Sequence, residues 1–246
     1  MRDTFKCADS DMTIMKLSIV MPVYNERETI KTIINSVKKV KIEGIEKEII
    51  IVDDYSTDGT REVLKTIQGC RMIYNERNRG KGFTVREGFR QANGDILVIQ
   101  DADLEYDPND LKKMVDIIKQ GKSKVVYGSR FIDKDPEERK RKKFLPGHYI
   151  GNKVLTLCTS ILFGHKITDM ETCYKMFTRE VFEKMKLTAD RFEIEPEITA
   201  QILKNKYGIF EVPISYAART AEKGKKINWT DGIKAFFCLV KLRFFR

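Results

Sequence analysis

The sequence predicts a single α/β domain with a mostly parallel sheet and helices on both of its faces. Apolar, β-branched runs of strand length alternate with amphipathic helical patterns through the first half of the chain, as in proteins of this class. The length of 246 residues suits one sizeable domain, and a hydrophobic content of 41% is enough to bury a core without disulfides. Three of the predicted strands end in acidic residues, which indicates a site at one edge of the sheet.

Strands and helices alternate regularly through the first half. Buried strands are predicted from uninterrupted apolar runs, and helices from apolar residues that recur three and four positions apart, such as Ile30, Ile33 and Val37. Ser56 or Thr57 is expected to cap the second helix, because a hydroxyl there accepts a backbone N–H. The predicted strands are 16–24, 47–54, 71–76 and 95–101, and the predicted helices are 26–40, 56–67 and 80–92.

The second half is less regular. Residues 124–127 and 173–177 are predicted strands, and a charged loop is expected at 132–148. The apolar segment 154–163 has helical length and is expected to belong to the core. A further helix is predicted at 195–206, with a proline in its first turn, where proline is tolerated.

Charge and cysteine content exclude several classes of protein. The formal net charge is +10, so the surface suits nucleic acid, anionic lipid or phosphorylated substrates. No nucleic-acid-binding motif is found, and acidic strand ends repel phosphate unless a metal intervenes, so nucleic acid is not expected as a partner. The five cysteines are scattered and the two histidines far apart, which argues against a disulfide framework or a zinc site and favours a reducing compartment.

The two ends of the chain differ in character. We assign residues 1–15, which lack an apolar secretory core, to a polar leader, 16–228 to the folded domain and 229–246 to an amphipathic basic helix. No apolar stretch approaches the roughly 20 residues that span a bilayer. The final helix alternates cations with an apolar stripe, so it either lies in a membrane interface or docks its phenylalanines on the domain. The stripe consists of Ile233, Phe236, Phe237, Val240 and Phe244.

The acidic segment after the fourth strand predicts a metal site. Asp101 and Asp103 are separated by one residue at a strand end, where two carboxylates can converge on one hard cation such as Mg²⁺ or Mn²⁺. Glu105 is expected to add a ligand directly or through water. Such a cation bridges a diphosphate and neutralises charge on the departing nucleotide. The alternative is an acidic turn that caps the next helix at Pro108.

Two further clusters indicate a nucleotide site. Asp53 and Asp54 end the second strand, where a carboxylate accepts hydrogen bonds from a base or ribose, or else forms an Asx turn. The segment NRGKG opens the third helix, where glycine lets the backbone approach a ligand and Lys81 can meet phosphate or ribose. A dinucleotide-binding pattern fails, because Val85 stands where glycine or alanine is needed. A purely structural turn is the alternative.

Six segments, in this order, resemble the family 2 inverting glycosyltransferases, which have the GT-A fold. They are MPVYNERETI, IVDDYSTDGT, NRGKG, QDADLEYDP, YGSRF and TDMETCYKMF, and the resemblance runs from residue 17 to the C-terminus. Within that family the chain is similar to the dolichyl-phosphate mannose and dolichyl-phosphate glucose synthases. The resemblance implies a UDP- or GDP-sugar donor, a polyprenyl phosphate acceptor and a divalent metal. It also implies that the protein acts at the cytoplasmic face of a membrane, to which it binds peripherally or through a membrane-anchored partner.

The resemblance further implies roles for matching residues. Five residues at the ends of the first two strands would contact the nucleoside, and Lys81 would lie near the ribose or diphosphate. Asp101, Asp103 and Glu105 would hold the metal, although mannose synthases commonly carry glutamine in the place of the glutamate, which leaves the sugar open. Arg130 would face a phosphate, and two late basic residues would close over the diphosphate and the acceptor phosphate. The nucleoside set is Pro22, Tyr24, Glu26, Asp53 and Asp54, and the late basic residues are Arg219 and Lys225.

The chemistry of the acceptor decides whether a general base is needed. A phosphate monoester is already anionic, so it attacks without a base and needs cations to position it. The sequence offers Arg130, Arg219, Lys225 and the cluster at 139–143. A hydroxyl acceptor, as in a family 2 enzyme that extends a saccharide, needs a carboxylate base. The candidates for that base, or for binding sugar hydroxyls, are Asp169, Glu193, Glu195 and Glu197.

Overall fold

Seven strands form one sheet in the computed structural model, which describes residues 14–132, 146–218 and 229–245. The strands are β1 Met15–Val23, β2 Ile45–Asp53, β3 Arg71–Tyr74, β4 Ile96–Ile99, β5 Val125–Ser129, β6 Lys175–Thr178 and β7 Phe210–Pro213. Their order across the sheet is β3-β2-β1-β4-β6-β5-β7. β6 runs antiparallel to β4 and β5, and the other neighbouring pairs are parallel.

Helices connect the strands and pack against the sheet. They are α1 Ile30–Lys39, α2 Thr60–Lys65, α3 Lys81–Gln91, α4 Leu111–Lys119, α5 Pro146–Phe163, α6 Arg179–Glu183, α7 Ile194–Lys204 and α8 Trp229–Phe244, with a 3₁₀ turn at Pro108–Asp110. α3 packs against β1 and β2, whereas α8 packs against α5 and α7. Within the described ranges, no helix combines the length and the apolar character that crossing a membrane requires.

The central strand β1 shows why this sequence forms a layered α/β fold. Ile19, Val20 and Met21 are inaccessible to solvent. Because successive side chains of a strand point to opposite faces of the sheet, both faces of β1 are covered. Each such side chain contributes about 1.5–3 kcal/mol of hydrophobic stabilisation. The predicted class, a mostly parallel sheet with helices packed against it, is confirmed.

The parallel strands β1, β2 and β4 bring three acidic loops to one edge of the sheet. Val23 of β1 pairs with Asp53 of β2, and Val20 of β1 pairs with Ile99 of β4. The pairing continues beyond the strands, since the N–H of Asp54 donates to the carbonyl of Val23 at 2.8 Å. Parallel strands present their carboxyl ends at the same edge, so the loops that follow them lie side by side, as predicted.

The second helix starts later than predicted, and neither Ser56 nor Thr57 caps it. A glycine with a φ of 95° occupies the N-cap position, and Oδ1 of Asp58 accepts the N–H of Thr60 at 3.0 Å. The hydroxyl of Ser56 instead accepts the N–H of Asn25 at 2.9 Å. This hydroxyl therefore ties the loop after β1 to the loop after β2.

The second half departs from the predictions at three points. β6 begins two residues later than the strand predicted at 173–177, and β7 was not predicted, because its four residues are few and end in proline. α5 begins within the loop predicted at 132–148, of which residues 133–145 lie outside the described ranges. The helix predicted at 195–206 is confirmed as α7.

The apolar segment 154–163 lies on α5, and its prediction as core is wrong for the outer face of the helix. Leu155 is buried, whereas Val154 and Leu157 are exposed. Helical side chains three and four positions apart share a face, so α5 packs on the domain along one side and leaves apolar side chains on the other.

The terminal helix α8 docks on the domain, but not through its phenylalanines. Ala235 and Leu239 are buried against the core, whereas Phe236 and Phe237 are exposed. The docking alternative is therefore realised by small and aliphatic side chains, and most of the predicted apolar stripe faces outward. Residues 1–13 of the predicted leader lie outside the described ranges, and the division of the chain at 15 and 228 stays a prediction.

Candidate functional site

Lys81 links three elements at the carboxyl edge of the sheet. It is the first residue of α3, and its Nζ lies 3.0 Å from Oδ1 of Asp101 after β4 and 2.7 Å from Oε1 of Glu195 on α7. Burial opposes its charge, but the two carboxylates outweigh burial and raise the pKa of Lys81 well above its ordinary value. The site therefore holds a fixed cation between two carboxylates.

The predicted metal ligands follow β4, where each already has a local role. Asp101 is paired with Lys81, Oδ1 of Asp103 accepts the N–H of Glu105 at 3.1 Å, and Oε2 of Glu105 accepts the hydroxyl of Tyr216 at 2.8 Å. Among the residues that the structure describes, no three Asp, Glu, His or Cys side chains form a cluster that could hold a metal ion.

The oxygen donors nevertheless suit a metal that is shared with a phosphorylated ligand. The carboxylates of Asp101 and Asp103 are partly exposed at the strand end, whereas the turn at Pro108 is capped separately by Asp107, whose side chain accepts the N–H of Asn109 at 2.9 Å. Mg²⁺ typically uses one or two carboxylates and completes its shell with water and phosphate oxygens. Asp101 and Asp103 fit that pattern, and the metal site itself stays a prediction.

Asp53 is buried at the end of β2 with one oxygen in use and one without a partner. Its Oδ2 accepts the Nε–H of Arg61 and, at 3.2 Å, the N–H of Ser56. Its Oδ1 has no hydrogen-bond partner among the described residues. A buried carboxylate oxygen without a partner is costly, so an orphan at a strand end marks a position where a ligand can donate a hydrogen bond. This supports the predicted nucleoside contact of Asp53.

The adjacent Asp54 has a different set of contacts. Its Oδ1 accepts the side-chain amide of Asn75 and the N–H of Arg79, both at 2.8 Å, and its Oδ2 accepts the N–H of Gly80 at 2.7 Å. The carboxylate thus holds the loop that leads into α3 and Lys81. Asp54 is assigned here to positioning that loop, and its predicted contact with a nucleoside remains a prediction.

The two glycines of NRGKG are required by packing rather than by a ligand. A Cβ built on Gly80 would lie 2.4 Å from the carbonyl oxygen of Asp190, and one on Gly82 would lie 2.4 Å from that of Ala189. The N–H of Phe83 donates to the same Asp190 carbonyl at 3.1 Å. The start of α3 is therefore covered by the chain before α7, and the structural-turn alternative accounts for the glycines.

A buried ion pair lies on the other side of the edge, after β5. Oδ2 of Asp169 accepts the Nε–H of Arg130 at 2.7 Å and Oδ1 accepts an Nη2–H at 2.8 Å. Asn152 on α5 donates to the same Oδ1 at 2.7 Å. Burial alone would raise the pKa of Asp169, but Arg130 lowers it below the ordinary value. Asp169 therefore positions Arg130, and it is not available as the general base considered above.

Glu195, which is buried, and Glu171, which is half-buried, lie close to this ion pair. Oε1 of Glu171 and Oε2 of Glu195 are inaccessible and make no hydrogen bond among the described residues. Burial raises the pKa of Glu171 to about 7, and the charge of Glu195 adds to the rise. Glu171 was not among the predicted site residues. It lies within the segment TDMETCYKMF, so its position in a motif was the available signal.

The remaining acidic candidates differ in their surroundings. Glu197 accepts the N–H groups of Thr188 and Ala189, each at 2.9 Å, and so holds the chain before α7. Glu193 is half-buried ahead of α7, and its carbonyl accepts the thiol of Cys238 on α8 at 4.0 Å. Of the predicted carboxylates, only Glu195 combines contact with Lys81 and a buried oxygen without a partner in the described ranges.

The loop after β1 completes the edge. The N–H of Glu26 donates to the hydroxyl of Thr60 at 2.9 Å, and its carboxylate accepts the hydroxyl of Thr29 at 2.9 Å. Tyr24 is exposed at the rim, and Pro22 belongs to β1. Their contacts with a nucleoside stay predictions. The predicted basic residues Arg219 and Lys225 and the cluster at 139–143 lie outside the described residues.

Comparison with known proteins identifies a family and several relatives. The family model described as "Glycosyl transferase family 2" matches residues 18–186, more than half of the chain. A dolichol-phosphate mannosyltransferase of Pyrococcus furiosus is 29% identical over 86% of this chain and 59% of its own length. A UDP-N-acetylglucosamine–dolichyl-phosphate N-acetylglucosaminyltransferase of Methanococcus voltae is 28% identical over 92% of this chain and 95% of its own length. The chain thus spans about three fifths of one relative and nearly all of the other.

Solved structures share the fold. The glucosyl-3-phosphoglycerate synthase from Mycobacterium tuberculosis, in complex with Mn²⁺, UDP and glucosyl-3-phosphoglycerate, superposes with a TM-score of 0.71 and 17% identity, over 99% of this chain and 88% of that one. At this identity the likeness shows the fold alone. The expected GT-A arrangement is confirmed.

Proposed function

We propose that this chain, which belongs to glycosyltransferase family 2, moves a hexose from a UDP- or GDP-sugar to a polyprenyl phosphate with the help of Mg²⁺ or Mn²⁺. The chain is an inverting glycosyltransferase by its family. The observation that carries the proposal is the ion-paired group of Lys81, Asp101 and Glu195, with carboxylate oxygens of Glu171 and Glu195 that lack partners among the described residues. That group combines a cation for a diphosphate with acceptors for sugar hydroxyls.

The donor would bind along the ends of β2 and β4. Oδ1 of Asp53 is available to accept a hydrogen bond from the base or the ribose. The ammonium of Lys81 offsets charge on the diphosphate, since it is held in place and is strongly protonated. A metal bound by Asp101 and Asp103 would supply further neutralisation of the leaving nucleotide. The name of the Methanococcus voltae relative, which uses a UDP-sugar, supports a donor of this kind.

The transferred sugar would meet Glu171 and Glu195. A buried acceptor without a partner costs about 1–3 kcal/mol, and a sugar hydroxyl that donates to it removes that cost. A sugar that lacks a hydroxyl in the right place leaves the cost unrelieved. The two glutamates would therefore discriminate between hexoses by the positions of their hydroxyls.

The acceptor phosphate would attack the anomeric carbon from the side opposite the diphosphate. A bond forms between a phosphate oxygen and that carbon, the bond between carbon and diphosphate breaks, and no proton has to be removed. Arg130 is a fixed cation at this side of the edge, held by Asp169 and supported by the ring of Tyr216, 5.2 Å from its Cζ. The relatives named for dolichyl phosphate support this acceptor class.

A second candidate function is transfer to a saccharide hydroxyl, and Glu171 favours it. A carboxylate whose pKa is raised to about 7 is suited to take a proton from an attacking hydroxyl near neutral pH. In that case Glu171 would be the general base, and its loss would abolish transfer. With a phosphate acceptor, its loss would change the choice of sugar instead.

We place the reaction at the cytoplasmic face of a membrane. A polyprenyl phosphate resides in the bilayer, so an enzyme that uses it meets its acceptor at the membrane surface. The four cysteines that the structure describes are free thiols, which accords with a reducing compartment. The protein would bind that surface itself or through a membrane-anchored partner.

The test is a transfer assay with the purified full chain and Mn²⁺. Radiolabelled UDP-glucose, UDP-N-acetylglucosamine and GDP-mannose are each offered with a polyprenyl phosphate. We expect label in an organic-extractable product with one of the three donors. If label is instead released as free sugar, or enters only added oligosaccharides, the lipid acceptor is wrong and the saccharide alternative takes its place.

A further inference from the structure

The outer face of α5 has the wrong polarity for a helix on the surface of a protein in water. The exposed residues of α5 whose side chains the structure describes are two glycines and four apolar residues, and none carries a charge. A helix of this kind normally turns its apolar stripe to the core and its charges to solvent. The apolar residues and their exposed fractions are Ile150 at 61%, Val154 at 53%, Leu157 at 61% and Ile161 at 72%.

The inner face of the same helix is mostly polar, since Asn152, Thr156 and Thr159 are buried there beside Leu155, and its hydrogen bonds fix the orientation of the helix. Asn152 donates to Asp169 at 2.7 Å, and the hydroxyl of Thr156 donates to Oδ1 of Asn152 at 2.9 Å. Thr156 also accepts the N–H of Met170 at 3.1 Å. Rotating α5 to bury its apolar face would break this network and leave Asp169 with fewer partners. The exposed apolar face is therefore built into the fold.

The neighbouring helix α8 adds exposed aromatic side chains. It packs against α5, and Nε of Arg243 donates to the carbonyl of Leu162 at 2.7 Å. Its own buried contacts are made by Ala235 and Leu239. The docking surface is defined here as the exposed apolar residues of the two helices. On α5 these are Ile150, Val154, Leu157 and Ile161, and on α8 they are Ile233, Phe236, Phe237 and Phe244.

The charges beside the docking surface indicate which partner binds there. The exposed charged side chains that the structure describes on α8 are Lys234, Lys241 and Arg243, all of them cations. The whole chain has a formal net charge of +10. A second copy of the chain would bring like charges together, whereas an anionic lipid surface offers both an apolar layer and counter-charges. Charge complementarity therefore favours a bilayer over a dimer.

We propose that the docking surface seats the protein on an anionic bilayer, with the outer face of α5 and the phenylalanines of α8 in the interface. This inference rests on the proposed lipid acceptor and deepens it. The inner face of α5 holds Asp169 through Asn152, and Asp169 holds Arg130. The helix that contacts the lipid therefore also supports the cation proposed for the acceptor phosphate.

The test measures binding of the full chain to vesicles of phosphatidylcholine with and without phosphatidylglycerol, by co-flotation. The wild type should float with the anionic vesicles. The variants Leu157→Glu with Ile161→Glu, and separately Phe237→Glu, should reduce binding at least about tenfold, since each puts a charge into the interface. Phe210→Glu is the control, because Phe210 is an exposed aromatic residue on the edge strand β7. Equal vesicle binding by all variants and the wild type would overturn the proposal.

A second readout separates this inference from the proposed function. Transfer to a short, water-soluble polyprenyl phosphate without vesicles should be the same for the wild type and the α5 variant, which also shows that the variant folds. Transfer to a long-chain acceptor in anionic vesicles should fall in the variant. A wild type that binds vesicles but transfers to neither acceptor would support the docking surface and contradict the lipid acceptor. A wild-type dimer that the variant converts to monomer, without vesicle binding, would identify a subunit interface and overturn the proposal.

Discussion

The two sides of the carboxyl edge use buried charge differently. After β2 and β4, Asp53 has an oxygen without a partner in the described ranges, and Asp103 is partly exposed. Beside Arg130, which follows β5, Asp169 has both oxygens engaged by Arg130 and Asn152. The first side offers oxygens to a ligand or a metal, whereas the second uses its carboxylate to hold a cation in place. Aspartates at the two ends of one site therefore have different roles, since Asp53 can accept a hydrogen bond from a ligand and Asp169 positions an arginine.

The partners of a carboxylate, rather than its place at a strand end, therefore decide its role. Asp53 and Asp54 are adjacent in sequence and equally buried within a few percent. Only the second has three N–H donors, supplied by the loop before α3. Substitutions that change one of the two sides at a time test this contrast.

Asp103→Ala should have the largest effect. If Asp101 and Asp103 bind a metal ion, the variant should lower the transfer rate by about 100-fold or more, because the metal loses one of its protein ligands. The measurement is a titration of transfer activity with Mn²⁺. Asp107→Asn is the matched control, since Asp107 lies in the same acidic segment but caps the 3₁₀ turn. Full activity with normal metal dependence in Asp103→Ala would remove this residue from the metal site.

Asp169→Asn should remove the ion pair that holds Arg130 in place. Removing one partner of a buried ion pair costs about 3–5 kcal/mol, and this substitution takes away the carboxylate charge that faces the guanidinium of Arg130. The free energy of unfolding, from urea denaturation, measures this loss. Glu180→Gln disrupts the exposed pair with Lys124 and should change stability little. Equal effects of the two substitutions would contradict the structural role assigned to Asp169.

Glu171→Gln tests which acceptor class the site serves. With a phosphate acceptor, we expect kcat/KM for the preferred donor to fall about tenfold, as when one hydrogen bond of roughly 1.4 kcal/mol is lost, while UDP or GDP alone binds normally. With a hydroxyl acceptor, a missing base costs about 10²–10⁴-fold. The measurement is a panel of sugar nucleotides assayed in parallel with binding of the free nucleotide. Unchanged kcat/KM values for all the sugar nucleotides would exclude contact between Glu171 and the sugar.

The same carboxyl should make stability depend on pH. Its pKa is raised from 4.5 to about 7 in the folded protein, so the folded state keeps a proton that the unfolded state releases. Its contribution is complete below about pH 4.5 and is lost as the pH rises towards 7. Glu171→Gln should flatten this decline in urea unfolding between pH 4.5 and 8. The charged groups that face Glu171 are Glu195, Lys175, Arg130 and Asp169. A wild-type decline that persists unchanged in the variant would assign it to one of these neighbours.

Asp54→Asn should have the smallest effect on transfer. The amide cannot accept all the hydrogen bonds that the carboxylate receives, so we expect a loss of about 1–3 kcal/mol in stability. The loop before Lys81 would loosen, which raises KM for the donor more than it lowers kcat. Steady-state kinetics with Asp53→Asn as the partner variant measure the difference. A larger loss of nucleotide affinity in Asp54→Asn than in Asp53→Asn would reverse the roles given to the two residues.

Much of the parallel half of the fold followed from the sequence. Runs such as Ile49–Val52 are short, apolar without interruption and β-branched, which favours a strand covered on both faces. Parallel strands end at one edge, so the acidic loops had to meet. Local hydrogen bonding was less predictable, and the cap expected from Ser56 failed because its hydroxyl pairs with the loop after β1.

The α/β class, the family and the edge at which the site lies could be read from the sequence, because strand periodicity and the order of the motifs are visible along the chain. Which acidic side chains have unused oxygens depends on the fold, since Asp54 and Asp169 accept hydrogen bonds from segments that are distant in sequence. The fold also decided that α5 faces outward with its apolar side. An apolar stripe looks the same in sequence whether it packs on a core or on a lipid surface, and the neighbours that settle the choice are brought together only by folding.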